Sequence, residues 1–193
     1  MNTLAIAYFP PISYISLLAK GDVLLEGCEN YQKQSWRNRC HILAAGGVEA
    51  LQVPVVHDGS KLITDIKVDW SKGFMRRHQR AIDSAYMNSA YFEHYRDGLY
   101  SILDSRIESL WELDMRILDY FLNILEIPSP GITSSFQGPV MDIHPKHEDK
   151  FYVQKNYFQV FSEKYGFTPN LSVMDLVFNE GPDSSMYLGA SIY

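Results

Sequence analysis

Apolar residues come in short runs near the start of the chain and at helical spacing from about residue 71 onward, so two kinds of pattern follow one another. Leu4 to Ala7 is an apolar run fit for a buried strand, and Pro10-Pro11 punctuates it. Proline suits the first turn of a helix, where the N–H it lacks would go unpaired, so Ile12 to Ala19 reads as a helix stopped by Gly21. Asp22 to Glu26 reads as a second strand. Cys40–Leu43 and Ala50–Val55 flank Ala45-Gly46-Gly47 and predict a β-hairpin. His57 to Ser60 is a loop, and Ile63, Ile66 and Val68 suggest an extended piece ending at Asp69-Trp70.

From Ser71 the period becomes helical. Helices are expected over Ser71–Asn88, Tyr91–Leu103 and Arg106–Leu125, a long loop over 128–150, and a further helix over Phe151–Tyr165. Thr168 to Ser172 caps a last helix through Phe178, stopped by Gly181-Pro182. The expected class is α/β: an N-terminal Rossmann-like strand–helix–strand with a β-hairpin, then a mainly α-helical C-terminal half. One domain is expected over residues 1–193, with its α/β part to about residue 70 and its helical part over 71–193.

Composition narrows the function classes. With 46% hydrophobic and 21% charged residues, the 193-residue chain is neither disordered nor fibrous. Its net charge of -6 argues against a nucleic-acid or membrane-surface partner. No apolar stretch approaches a membrane span, and the first residues carry no basic group ahead of the run that Pro10-Pro11 breaks, so no signal peptide is expected. Cys28 and Cys40 lack a paired-ligand spacing and read as reduced, packed thiols of a cytoplasmic protein. Hydrolase-elbow, Walker and dinucleotide-binding glycine motifs are absent.

Four stretches could carry chemistry. In the front turn, Tyr8, Pro10, Pro11 and Tyr14 sit where a strand runs into a helix start, a place that aims backbone N–H groups at the mouth of a sheet. The segment Tyr31-Gln32-Lys33-Gln34-Ser35-Trp36-Arg37-Asn38-Arg39 combines aromatic faces, three cations and amides, a set suited to phosphate or carboxylate and to stacking on a sugar or base. Alternatively, Arg37 or Arg39 pairs with Asp22 or Glu26 in a structural loop. The cluster Arg76-Arg77-His78-Gln79-Arg80 offers an anion platform through Arg77, with His78 the candidate general acid–base or else a core histidine. In Asp142-Ile143-His144-Pro145-Lys146-His147-Glu148-Asp149 the spacing fits no metal site, and a flap that brings Lys146 to phosphate is the preferred reading. The expected partner is a small anionic ligand; no metal is expected, and neither a cofactor nor an oligomeric state is specified.

Tyr8-Phe9-Pro10-Pro11-Ile12-Ser13-Tyr14, the 31–39 segment and Arg77-His78 through Tyr86-Met87-Asn88-Ser89-Ala90-Tyr91-Phe92 resemble the WbqC-like protein family. The likeness extends to Met141–Lys146 and Phe167–Gly181, two stretches that resemble the branch found in Bacteroidetes. Some members lie in surface-polysaccharide gene clusters, which implies a transferase acting on a sugar precursor; no established reaction or catalytic set comes with the family. The front layout is also similar to nucleotidylyltransferases, whose His-x-Gly-His motif falls where this chain has Pro11-Ile12-Ser13-Tyr14, without either histidine. Three readings stand at this point: a transferase on a phosphorylated or nucleotide-linked molecule, a non-catalytic ligand-binding or interaction module, and a nucleotidylyltransferase relative without its histidines.

Overall fold

A computed structural model describes residues 2–141, 143–147, 149 and 152–188. The front is a parallel strand–helix–strand: β1 (Asn2–Leu4), α1 (Ile12–Lys20) and β2 (Val23–Leu25), with Thr3 opposite Leu24. The first strand ends earlier than its apolar run, because Ala5 to Phe9 leave the sheet and are drawn into the core. There the Tyr8 N–H donates to the Trp36 carbonyl at 2.8 Å, and Phe9 takes a φ of 44°, a left-handed conformation uncommon for a bulky residue.

Strands β3 (Arg39–Ala44) and β4 (Gly47–Gln52) form the expected antiparallel hairpin. Ala44 pairs with Gly47, so Ala45-Gly46 is the turn and the second strand starts earlier than expected. Gly47, at φ 110°, supplies the conformation that closes it.

The helical half holds α2 (Phe74–Tyr86), α3 (Phe92–Asp104) and α4 (Leu110–Ile124), each with its apolar stripe buried. Ser109 caps α4 by accepting from the Glu112 N–H. The stretch expected to be a loop contributes β5 (Gly131–Ile132), which pairs parallel with β2 and gives the sheet order β1-β2-β5. Of the helix expected over 151–165, Phe151 lies outside the described residues and only α5 (Ser162–Tyr165) is helical. Its upstream part is irregular, with side chains that tie it to the chain beyond: Gln154 accepts from the Asn170 N–H at 2.6 Å, and the Gln159 amide clasps the Thr168 N–H and C=O at 2.8 Å each.

The last described elements are α6 (Val173–Glu180), a 3₁₀ turn and α7 (Ser185–Leu188). Phe178 on α6 joins the two halves. Its ring lies 5.2 Å from Tyr86 and from Phe92 and 6.4 Å from Phe121, which in turn meets Phe9 of the front turn at 6.1 Å. Gly181 packs so closely on the Tyr91 ring that a Cβ there would sit 2.6 Å from it. Among the described residues, no helix is long and apolar enough to cross a membrane.

Candidate functional site

The donor-rich segment is held at both ends by backbone pairing. Tyr31 N–H donates to the Lys61 carbonyl at 2.7 Å, and Asn38 exchanges two bonds with Val53, one from the Val53 N–H and one from its own side-chain amide, both at 2.8 Å. Between these ends Trp36–Asn38 forms a 3₁₀ turn. The segment therefore presents two faces. Gln32 and Arg37 turn to one cleft, whereas Tyr31, Lys33, Asn38 and Arg39 turn to a groove on the other side.

The groove encloses about 520 Å³. Gln52, His57, Asp69 and Lys72 complete it, none of which the sequence had marked; they come from the end of β4 and the loops after it. Four residues that carry or can carry positive charge, Lys33, Arg39, His57 and Lys72, thus converge in an acidic protein around the half-buried Tyr31 ring. Arg39 donates to the Gln52 side chain at 3.3 Å, while its buried Nε has no partner among the described residues. The same holds for Oδ1 of Asn38, a residue only 1% exposed. Asp69 is the groove's one carboxylate; bonds from the Ser71 hydroxyl and N–H, with Lys72 and His57 nearby, hold it below its usual range.

The cleft, of about 390 Å³, lies beyond the carboxyl ends of all three parallel strands, the usual ligand position in open α/β sheets. Ala5 follows β1, Glu29 and Asn30 follow β2, and Phe136, Pro139, Val140, Met141, Ile143 and His144 follow β5. A fully buried carboxylate fixes this rim. Glu26 accepts from the Cys28 N–H at 2.9 Å, the Thr133 hydroxyl at 2.6 Å and the Gln137 N–H at 3.0 Å. Burial would raise its pKa, but these three bonds outweigh burial and hold it below the usual range. Glu26 therefore stabilises the fold above the unfolded pKa of about 4.3, and that contribution is lost as pH falls through the lower folded value. Glu26→Gln turns an amide N–H toward a donor and is expected to lose about 1–3 kcal/mol at neutral pH. The loss should shrink below about pH 4, as read from urea unfolding at both conditions.

On the cleft floor Arg37 forms a two-pronged ion pair with Glu29, at 2.8 and 2.5 Å, with both side chains 5% exposed. The loop in which Arg37 pairs with an acid is thus real, and the partner is Glu29. A small recess bounded by Tyr14 and Trp36 shares Arg37, Met141 and Ile143 with the cleft.

The front turn, Trp36 and His78 do meet, but inside the core. Tyr8 Oη lies 2.9 Å from His78 Nδ1 and both are buried. His78 lines neither the groove nor the cleft. Burial, with Arg77 acting in the same sense, brings its pKa down to about 4. Trp36 packs edge-on against His41 at 4.9 Å. Pro10 and Pro11 are buried, and the first N–H groups of α1 are engaged: Ile12 donates to the Leu171 carbonyl and Ser13 to the Asn170 side chain. The Ser13 hydroxyl and the Asn170 amide both bond the Asp149 carboxylate, so the chain supplies its own anion at this helix start. Arg77 is exposed and bonds the Lys72 carbonyl at 3.2 Å. Lys146 is exposed two residues beyond His144 of the cleft rim. Asp142 and Glu148 lie outside the described residues, and among those described no group of three or more His, Cys, Asp or Glu is placed to hold a metal.

Residues 7–155 match the WbqC-like protein family. An uncharacterized protein of Mycobacterium tuberculosis, Rv1507c, is 25% identical over 221 aligned positions, covering 94% of this chain and 94% of its own length. No solved structure matches the chain.

Proposed function

This chain belongs to the WbqC-like protein family, and we propose that it folds as one domain over residues 1–193 and acts in the cytoplasm as a transferase on a phosphorylated or nucleotide-linked small molecule. The observation that carries the reading is the groove. Lys33, Arg39 and Lys72 bring positive charge to one concave surface of an acidic protein, with the ring of Tyr31 beside them. Lysine and arginine supply the charge-assisted donors that a phosphoryl group needs, and tyrosine offers a face for a base or a sugar ring. A sugar phosphate or a nucleotide sugar meets both demands, in keeping with the sugar-precursor chemistry the family resemblance implies. His57 and Asp69 line the same groove.

The test is a thermal-shift screen against nucleotides, nucleotide sugars, sugar phosphates and pyrophosphate, repeated with Arg39→Ala and Lys72→Ala. A ligand at 100 times its dissociation constant adds about 2.7 kcal/mol of stability. Each substitution is expected to weaken a true ligand by about tenfold or more, with little effect on the unliganded fold because both side chains reach solvent. A screen that is flat for every phosphorylated compound overturns the reading and turns the search to protein partners. A hit that both variants leave unchanged moves the site elsewhere.

A further inference from the structure

We propose that the cleft at the strand ends is a second ligand site and takes a neutral, polyhydroxylated molecule. This goes beyond the reading of the groove and does not depend on it, since different residues carry it. The cleft floor is charge-balanced: Arg37 and Glu29 neutralise one another through two bonds and are both almost fully buried. Those two bonds use two of the five guanidinium donors and about half of the carboxylate's acceptor positions, and both residues line the cleft. An anionic or cationic ligand would compete with one member of the pair and leave the other uncompensated in a buried place, which is strongly unfavourable. A hydroxyl group avoids this conflict. It donates to the Glu29 carboxylate and accepts from the Arg37 guanidinium without separating them.

The rim extends the same logic. Asn30 and Gln32, both exposed, present neutral amides that each donate and accept. Phe136 lines the same cleft with 59% of its surface exposed, a large apolar ring left in solvent beside polar groups. Such a ring offers a flat face to the C–H side of a cyclic polyol. The loop that carries Phe136 is fixed to β2 through Glu26 and to β1 through the Met141 N–H bond to the Thr3 carbonyl, so the wall is preformed.

The experiment is saturation-transfer NMR with calorimetry on the full chain, using neutral monosaccharides, sugar alcohols and neutral oligosaccharides, with glycine and inorganic phosphate as charged controls. Saturable binding of a neutral polyol is expected. It should be insensitive to added salt because no net charge is exchanged, and weakened about tenfold or more by Phe136→Ala and by Gln32→Ala. It should be unchanged in Arg39→Ala, which separates this site from the groove. Tighter binding of an oligosaccharide would identify a chain end as the occupant, and tighter binding of a monosaccharide a free sugar; both support the proposal. No saturable binding of any neutral polyol, a preference for glycine or phosphate, or loss of binding in Arg39→Ala would overturn it.

Discussion

Arg37→Met is expected to destabilise the protein by about 3–5 kcal/mol, a large share of the stability of a domain this size. The substitution keeps the length of the side chain and removes its charge. Glu29 would then be a carboxylate with 5% of its side chain exposed and without its cation. A buried ion pair adds little over a well-packed apolar pair, because desolvation offsets the attraction, but breaking one side of it leaves the full desolvation penalty unanswered. The double variant Glu29→Leu/Arg37→Met is therefore expected to regain most of the loss, and urea unfolding of the two single variants and the double would show a coupling of several kcal/mol. If the single variant were as stable as the parent, the pair would not be a buried one. A practical consequence follows for function. Loss of ligand binding in an Arg37 variant reports on folding as much as on contact, whereas Arg39 and Lys72, with side chains that reach solvent, report on the ligand.

Legibility in the sequence followed the length of each pattern. Helices α2, α3 and α4 each repeat an apolar stripe over several turns, and their positions were readable to within a few residues. A two-residue strand has no alternation to read, so Gly131–Ile132 passed for loop in a stretch rich in Pro, Gly and Ser. Tyr152, Tyr157, Phe158, Phe161 and Tyr165 mimic a helical stripe, yet Phe158 is 59% exposed and the glutamines between them bond the 168–175 region instead. The site shows the same division. The 31–39 segment stood out by its donors, but which of them face one another is set by the 3₁₀ turn at Trp36–Asn38. That Glu29, and not Asp22 or Glu26, takes Arg37 depends on the chain turning back after β2, which no local pattern encodes. Lys72 and His57 reach the groove from distant loops whose sequence gives no sign of it.

Asp114→Asn is expected to raise stability above about pH 4, with a gain that widens by up to about 1.4 kcal/mol per pH unit until the folded carboxyl ionises. Asp114 lies on the buried face of α4, fully enclosed, and neither carboxylate oxygen has a partner among the described residues. Burial holds its pKa well above the usual carboxylate range, and Tyr8, Tyr14, Tyr31 and Cys40 lie near enough to sense its charge. The unfolded chain releases this proton near pH 3.9, whereas the folded chain keeps it. Unfolding above that point therefore releases a proton, and stability falls by up to about 1.4 kcal/mol per pH unit until the folded carboxyl itself ionises. Glu26 acts at acid pH as described above, and two further buried groups act below about pH 6.5. Asp175, raised by burial to about 6 against bonds from Tyr157 and Gln159, works in the same sense and is spent near that value. His78, lowered from 6.5 to about 4, works in the opposite sense between those values. Above about pH 6.5 these two add no further slope, and the expected difference between parent and variant is set by Asp114. Asparagine has no proton to lose, so denaturation curves of parent and variant should converge near pH 4 and separate toward pH 8. Asp114→Ala, which removes the polar group altogether and favours the helix, should separate in the same direction. Parallel curves across that range would mean that the carboxyl ionises normally in the folded protein, and that the core around Tyr8 and Tyr14 answers its charge.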